Sequence, residues 1–302
     1  LTPALAGFAP ATLLLTRWQV VRHRHRCTLI ANVRRCPHTR LAPLAREIAE
    51  QVGKLQAFAP GKRPLELMGW GESDLQPQLS DPVRLALQHR VRQTLGAIQA
   101  QQLQKQVIAH ALDVTRSDAF RREVALPRLR SRYPDCYIFS FSGAHDSHLI
   151  GASPERLLSI RQGRLVTAAL AGSAPRGQPA AADFALGQQL LNTPKEQREH
   201  QLVLDFIVRQ LEAAGLTPCY STPPGLLRLS NIQHLHTPIG ADLPRQLSPL
   251  ALVESLHPTP AVAGVPTRAA CERIRQSETC DRGLYAAPLG WVDPYGNSEF
   301  IV

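Results

Sequence analysis

The order of short apolar segments and long amphipathic segments in the middle of the chain constrains its fold most strongly. Four segments alternate apolar with small or polar residues, as half-buried strands do. They are residues 137–142, 148–152, 156–160 and 164–168. Helical periodicity then takes over at 181–191 and 195–214, where Gly215 ends the second helix. Strands in series followed by helices predict an α+β fold with a largely antiparallel sheet.

The rest of the chain carries weaker signals of the same kinds. We expect a strand at 27–33, amphipathic helices at 43–55 and 81–104, and a strand at 106–114. Neither strand–helix alternation nor a glycine-rich phosphate-binding loop is present in the sequence. Dinucleotide and P-loop chemistry are therefore disfavoured.

The formal net charge of +10 is compatible with a nucleic-acid partner, because basic surfaces attract polyanions. The densest basic cluster spans 22–26, but aromatic residues make up only 5% of the chain and no base-stacking motif occurs. We therefore expect arginines spread over a solvated surface and no nucleic-acid partner. A small anionic substrate fits the charge equally well.

Apolar runs and cysteines bear on the compartment. No apolar run reaches the roughly 18–20 residues that cross a bilayer, so we expect no membrane partner. The six cysteines are scattered without a CxxC pair, which argues against a zinc knuckle or a disulfide scaffold and favours a reducing, cytoplasmic setting. The chain begins at Leu1 and its only methionine is Met68, so we expect its first residue to be a fragment boundary.

Two carboxylates at the start of the second long helix are candidate metal ligands. Glu196 and Glu199 are three residues apart, so a helix presents both on one side. Mg²⁺ accepts one or two carboxylates together with waters and substrate oxygens. The alternative is an exposed charged turn, since acidic residues favour helix N-termini in any case.

Two further charged residues are candidates for proton transfer. Glu155 follows a strand ending at Ser153-Pro154, and a carboxyl held between apolar strands has a raised pKa and can act as a general acid. Lys105 opens an apolar strand, and a lysine that points into a pocket can act as a base. Alternatively, Glu155 lies in a surface turn and Lys105 protects a sheet edge against aggregation.

Two loops are built to approach a ligand closely. Residues 170–177 are mostly small, so their backbone amides can reach a carboxylate without obstruction. Residues 256–266 contain three prolines among glycine and small residues, and such a rigid segment can line a pocket at low entropic cost. Residues 170–177 could also be an ordinary turn.

Taken in order, these segments resemble the chorismate-binding enzymes, and specifically the isochorismate synthases of siderophore and menaquinone pathways. The strings that carry the resemblance are GASPE (151–155), LAGS (170–173), KEQREH (195–200), QHL (233–235), LHPTPA (256–261) and RGLY with GWVD (282–285, 290–293). The resemblance implies a two-lobed α+β fold with layered antiparallel sheets. Residues 1–302 would form a single domain, with 1–104 as a variable front half and 105–302 as the chorismate-binding region.

The resemblance also implies a reaction, in which water adds at C2 of chorismate and the C4 hydroxyl is lost. Lys105 would be the base that activates water and Glu155 the acid that protonates the leaving hydroxyl. Glu199 would bind Mg²⁺, with Glu196 nearby. The remaining matches are to substrate-binding positions: Gly172, Ser173, His234, Ala261, Val262 and Tyr285. No obligate protein partner is implied.

Sibling reactions remain open alternatives. The small Ala261 after Pro260 resembles the isochorismate-forming pattern, whereas salicylate-forming relatives tend to carry threonine there. Anthranilate-forming relatives use ammonia and usually lack the lysine seen here at Lys105. A salicylate or anthranilate synthase component, or a non-catalytic relative, is the alternative interpretation.

The resemblance differs at the C-terminus. Family members continue beyond the strand 299–302 with a segment that supplies an arginine for the substrate carboxylate, a glycine-rich loop and a second pair of carboxylates for Mg²⁺. Because affinity for a hard cation depends on the number and charge of its ligands, we expect the 302-residue chain to bind Mg²⁺ weakly and to turn over little chorismate.

Overall fold

A computed structural model describes residues 7–34, 40–57, 80–115, 120–144, 147–244 and 246–302. Its contacts divide the chain into two compact units, one formed by Ala9–Gly71 and the other by Leu1–Phe8 with Glu72–Val302. Every candidate site residue lies in the second unit. The prediction that residues 1–302 form a single domain stays a prediction.

The smaller unit contains a β-hairpin and a helix. Strands β1 (Trp18–His23) and β2 (Arg26–Ala31) pair antiparallel, and their tight turn places Arg24 at φ +54°. Helix α1 spans Leu41–Ala57. The predicted strand at 27–33 and helix at 43–55 are thus both found, with the boundaries shifted by two residues or fewer.

The larger unit contains the other elements that the structure describes. Its strands are β3 (Lys105–Gln106), β4 (Tyr137–Ser142), β5 (His148–Ser153), β6 (Arg156–Arg161), β7 (Arg164–Pro175), β8 (Cys219–Tyr220), β9 (Gly225–Arg228), β10 (Ile232–Asp242), β11 (Gly264–Val265), β12 (Leu289–Val292) and β13 (Ser298–Ile301). Its helices are α2 (Asp81–Gln99), α3 (Arg122–Arg132), α4 (Ala180–Asn192), α5 (Pro194–Ala213), α6 (Pro249–Leu256) and α7 (Thr267–Ser277).

A seven-stranded sheet forms the centre of the described part of this unit. Its strand order is β12-β13-β6-β7-β10-β8, and β9 also pairs with β10. The pairs β4-β5 and β3-β11 form two smaller sheets. Every strand pair in the described ranges is antiparallel, so the predicted α+β fold with layered, largely antiparallel sheets is confirmed.

The core lies between this sheet and helix α5. On β7 the buried residues alternate along the strand, which directs one face inward. They are Leu165, Thr167, Ala169 and Ala171. Helix α5 covers that face with a stripe at helical spacing. The stripe consists of His200, Val203, Leu204, Ile207 and Leu211. The packing therefore fixes the start of α5 against the end of β7.

The strand predicted at 106–114 is the clearest local error. Only Lys105–Gln106 pairs as a strand, and the next residues run as an irregular segment. Their backbone groups find other partners, because Ala109 N–H donates to Glu278 Oε1 at 2.8 Å and Val107 C=O accepts from Arg282 Nη2 at 3.0 Å. Side chains replace the strand ladder here, and alternation in the sequence cannot distinguish the two.

Candidate active site

Lys105 is held on the short strand β3 and faces helix α5. Lys105 pairs with Val265 of β11, and Gln104 N–H donates to the Val265 carbonyl at 2.8 Å. Gly264 allows this approach, because a Cβ at that position would overlap the Lys105 carbonyl oxygen. The ammonium Nζ lies 2.7 Å from Glu199 Oε1, with 13% of the lysine side chain and 31% of the glutamate side chain exposed. The structure thus joins a candidate base to a candidate metal ligand.

Glu155 lies in the two-residue connection between β5 and β6. Its N–H donates to Ser153 Oγ at 3.2 Å, and its carbonyl accepts from the Val302 N–H at 3.1 Å. Ser153 Oγ also donates to the Val302 carbonyl at 2.5 Å. The backbone at the end of β13 therefore holds Glu155 in place, a contact made across almost 150 residues of sequence.

The environment of Glu155 favours its protonated form. Burial raises the pKa of its carboxyl to about 7, and the positive charge of Lys105 offsets part of that rise. The direction is the one predicted from the sequence. A carboxyl with this pKa is protonated in about half of the molecules at neutral pH and can donate a proton to a leaving group.

Helix α5 begins close to Gly172 and Ser173, near the end of β7. Ser173 N–H donates to Glu196 Oε2 at 3.3 Å, and Lys195 Nζ lies 3.1 Å from Glu196 Oε1. Gly172 has φ +79°, and a Cβ there would lie 3.3 Å from both Glu196 Cβ and the Glu196 carbonyl oxygen. A residue without a side chain is needed for both the backbone conformation and the close packing.

A hydroxyl–imidazole pair lies next to this loop. Ser173 Oγ and His234 Nδ1 are 2.7 Å apart, on residues that face each other across β7 and β10. Burial lowers the pKa of the His234 ring, and a hydrogen bond with the backbone of Gly172 offsets part of that change. Gly172, Ser173, His234 and Glu196 therefore form one contiguous group, and their predicted roles stay predictions.

The other three predicted substrate-binding residues lie elsewhere in the same unit. Val262 and Tyr285 both line a cavity of about 550 Å³, whose lining does not include Glu155 or Glu199. Tyr285 is 65% exposed. Ala261 is partly buried and packs against the main hydrophobic core. Glu155 itself lines a separate cavity of about 600 Å³.

Three residues with well-defined surroundings were not among the sequence candidates. Thr259 is 3% exposed, its Oγ1 has no hydrogen-bond partner among the described residues, and it lines a small gap of about 10 Å³ together with Glu155. Arg282 donates to buried Glu278 and to the Val262 carbonyl. The sequence draws attention to the prolines around Thr259 and contains no signal for the Glu278–Arg282 contact except its spacing of four residues.

The residues that would hold Mg²⁺ are Glu196 and Glu199, and in this structure each carboxylate pairs with a lysine. Glu196 and Glu199 provide two carboxylates one helical turn apart, the kind of oxygen ligands that Mg²⁺ takes together with waters and substrate oxygens. In the described ranges, no group of three or more His, Cys, Asp or Glu side chains is placed to hold a metal ion. These two residues would bind one side of the ion, and solvent or substrate would supply further oxygens.

Comparison with protein families decides the relationship. The family model described as "Chorismate binding enzyme" matches residues 2–302. The chain belongs to this family. The chorismate-binding family thus accounts for both the antiparallel sheet and the order of the motifs along it.

Curated members of the family match over part of their length. The "Salicylate biosynthesis isochorismate synthase" of Pseudomonas aeruginosa is 47% identical over 177 residues, which are 59% of this chain and 37% of that protein. "Isochorismate synthase MenF" of Bacillus subtilis is 36% identical over 209 residues, 68% of this chain and 43% of that protein. The chain therefore spans about two fifths of the length of these two relatives.

A solved structure supports the same relationship. The crystal structure of a 2,3-dihydroxybenzoate-specific isochorismate synthase, DhbC from Bacillus anthracis, superposes with a TM-score of 0.69 at 30% identity. The match covers 74% of this chain and 64% of that one. Separately, no helix in the described ranges combines the length and apolarity needed to cross a membrane.

Proposed function

We propose that this chain carries the acid–base centre of an isochorismate synthase, which converts chorismate to isochorismate. The observation that carries the proposal is the arrangement of Lys105, Glu155 and Glu199. A partly buried carboxyl with a pKa of about 7 lies within electrostatic reach of a lysine that contacts a carboxylate on α5. Family membership supplies the substrate class.

The proposed reaction needs one proton accepted and one donated. Lys105 accepts a proton from water as the water oxygen bonds to C2 of the ring. The ring double bonds shift and the bond between C4 and its hydroxyl oxygen breaks. Glu155 gives its proton to that oxygen, which leaves as water, so the product is an isomer of the substrate.

Gly172, Ser173 and His234, around the end of β7, would position the substrate. The backbone of Gly172 and the Ser173–His234 pair can hydrogen-bond to substrate oxygens, and burial lowers the pKa of His234, which favours its neutral ring. Glu199, with Glu196, would hold Mg²⁺, which supplies positive charge to a bound carboxylate. We further propose a cytoplasmic enzyme that feeds siderophore or menaquinone synthesis; the five described cysteines are free thiols, as a reducing compartment requires.

The test is a product assay under conditions that make slow turnover visible. The 302-residue chain, in molar excess over chorismate and with MgCl₂, is incubated with and without ammonium, and the products are separated by liquid chromatography. We expect isochorismate in both incubations. Anthranilate in the ammonium incubation, or salicylate in either one, would show that a sibling reaction is the correct assignment.

Matched variants connect the product to the proposed residues. Lys105→Gln and Glu155→Gln should each reduce isochorismate formation at least a hundredfold, since a positioned acid or base contributes about 10²–10⁴ in rate. Arg268→Gln, an exposed substitution on α7, is the control and should leave the rate unchanged. Equal rates in the unsubstituted chain and the three variants would contradict the proposed acid–base centre.

A further inference from the structure

A cavity of about 500 Å³ between helices α2 and α7 lies outside the proposed active site. Arg90 and Thr94 of α2, Gln106 of β3, and Arg273 and Gln276 of α7 line it, together with small and amide residues. None of the described lining residues is acidic, whereas two are arginines. The cavity is therefore polar and positively charged without an internal counter-charge.

Arg90 is a buried cation whose donors are only partly used. The residue is 6% exposed, and its Nη2 donates to His110 Nδ1 at 3.1 Å. Its Nε and Nη1 have no hydrogen-bond partner among the described residues. Leaving a buried donor unsatisfied costs about 1–3 kcal/mol, and more for a charged group. Such a side chain is normally retained because something accepts its hydrogen bonds.

Glu278, a carboxylate that Arg90 acts on through its charge, already has other hydrogen-bond donors. Arg90 helps to lower the pKa of Glu278 through its charge. Both Glu278 oxygens, however, accept hydrogen bonds from Arg282, and Oε1 also accepts one from the Ala109 N–H. Glu278 therefore offers Arg90 long-range attraction without an acceptor for the free N–H groups.

An unpartnered atom on a second residue further restricts which ligands the cavity could bind. Gln106 Oε1 is buried without a hydrogen-bond partner in the described part of the chain, and Gln106 lines the same cavity. Free donors on Arg90 require an acceptor that is preferably anionic, whereas a free amide oxygen requires a donor. One ligand that carries both an oxyanion and a hydroxyl satisfies the two requirements together.

We propose that this cavity is a binding site for a small hydroxyl-bearing oxyanion, which contacts Arg90 and Arg273 through its anionic oxygens and Gln106 through its hydroxyl. Inorganic phosphate is the simplest member of the class, because its protonated oxygen donates. A cavity of this volume also holds a metabolite-sized organic anion. The site is independent of the proposed activity, since neither Glu155 nor Glu199 lines it.

Phosphate binding to the purified chain tests the site directly. We measure binding by calorimetry and the unfolding temperature, in phosphate, sulfate or chloride at matched ionic strength. Phosphate should bind at one site per chain and raise the unfolding temperature, sulfate should bind more weakly because it lacks a hydroxyl at neutral pH, and chloride should have no effect. Absence of phosphate binding at millimolar concentration, which means that water alone fills the cavity, overturns the proposal.

Variants locate the bound phosphate. Arg273→Gln should weaken phosphate binding at least tenfold, and Arg90→Gln should abolish it. Without phosphate, Arg90→Gln should unfold at a temperature no lower than the unsubstituted chain, because it removes a buried charge whose Nε and Nη1 lack acceptors among the described residues. Arg268→Gln should bind phosphate normally, because Arg268 lies on the solvent side of α7, the helix that carries Arg273, with its side chain 94% exposed. Binding that survives in both Arg90→Gln and Arg273→Gln would place the phosphate elsewhere and contradict the proposed site. Sulfate binding as tight as phosphate binding would contradict the role of Gln106.

A second experiment separates phosphate from organic members of the class. Glycolate and 3-hydroxybenzoate, each with a carboxylate and a hydroxyl, are compared with acetate and benzoate, which lack the hydroxyl. The hydroxyl-bearing member of each pair should bind more tightly in the unsubstituted chain, and the difference should disappear in Arg90→Gln. Equal binding within both pairs contradicts recognition of the hydroxyl.

Discussion

At the scale of single residues, the carboxyl of Glu155 shows how position decides chemistry. It occupies a two-residue connection, where a glutamate would ordinarily be solvated and ionised. The end of β13 closes over its backbone through Val302, and burial raises the pKa of the carboxyl to about 7. The proton that such a group holds at neutral pH is the proton that the proposed reaction consumes.

The raised pKa of Glu155 also predicts a dependence of stability on pH. Between the ordinary value of 4.5 and about 7, the folded chain binds a proton that the unfolded chain has released. Stability must therefore fall as pH rises through this window, by up to about 3 kcal/mol for this group. Glu155→Gln should remove that component. Relative to the unsubstituted chain, the variant should therefore have a larger free energy of unfolding at pH 8 than at pH 5.

Urea denaturation of both proteins at the two pH values checks this prediction. Comparing the two proteins cancels other titrations, including those of the buried histidines, whose pKa values are lowered by burial. The same difference in unfolding free energy at pH 5 and pH 8 would contradict the buried, protonated state of Glu155.

A glycine at the end of β7 has a similarly specific role. Gly172→Ala should destabilise the chain by about 1–3 kcal/mol, because the left-handed conformation is costly for a residue with a side chain and the new Cβ would crowd Glu196 and Leu235 at 3.2–3.3 Å. Gly96→Ala is the matched control, since a Cβ there meets no atom within 4 Å. In the interior of α2 it should stabilise by up to about 1 kcal/mol. Equal effects of the two substitutions in urea denaturation would refute the argument.

At the scale of elements, a buried ion pair fastens three segments together. Glu278 directly follows α7, with its side chain 2% exposed, and accepts from Arg282 at 2.5 and 2.8 Å. Arg282 also donates to the carbonyls of Val262 and Val107, and Glu278 accepts from the Ala109 N–H. The pair thereby sets the position of the segment after β3, and so of Lys105, relative to the proline-rich loop.

Breaking this pair should cost far more than breaking an exposed pair on α7. Arg282→Gln leaves a buried carboxylate without its partner, which typically costs about 3–5 kcal/mol. Arg268→Gln removes an exposed pair with Glu272 of the same four-residue spacing, worth about 0.3–0.5 kcal/mol. Urea denaturation of the two variants measures the difference. Losses of similar size would show that the Glu278–Arg282 pair does not fasten these segments.

At the scale of the whole molecule, the most basic segment of the sequence and the candidate site belong to different units. The basic cluster 22–26 lies in the unit Ala9–Gly71 on an exposed hairpin, apart in sequence from every candidate site residue. The candidate site is assembled in the other unit from β3, the β5–β6 connection, the β7 loop, the start of α5 and β10. These parts are separated by up to about 130 residues, from Lys105 to His234.

The sequence by itself determined most elements and the family. Periodicity identified β4, β5, β6, α4 and α5 almost to their ends, because one buried face imposes a regular pattern. Ordered motifs identified the chorismate-binding family, whereas the contacts among Gly172, Ser173, His234 and Glu196 came from the structure. Local pattern also overextended two elements. The helix predicted at 81–104 ends at Gln99, and the strand predicted at 106–114 has its backbone satisfied by distant side chains.

Tertiary structure alone decided what surrounds each charge. Val302 holds the backbone of Glu155, and the partner of Lys105 is Glu199. The donors of Arg90 that lack a partner among the described residues lie where α2 meets the segment 102–106 and α7. These properties come from desolvation and from contacts between residues far apart in the chain. Spacing within a sequence encodes neither, because both depend on which surfaces the folded chain removes from water.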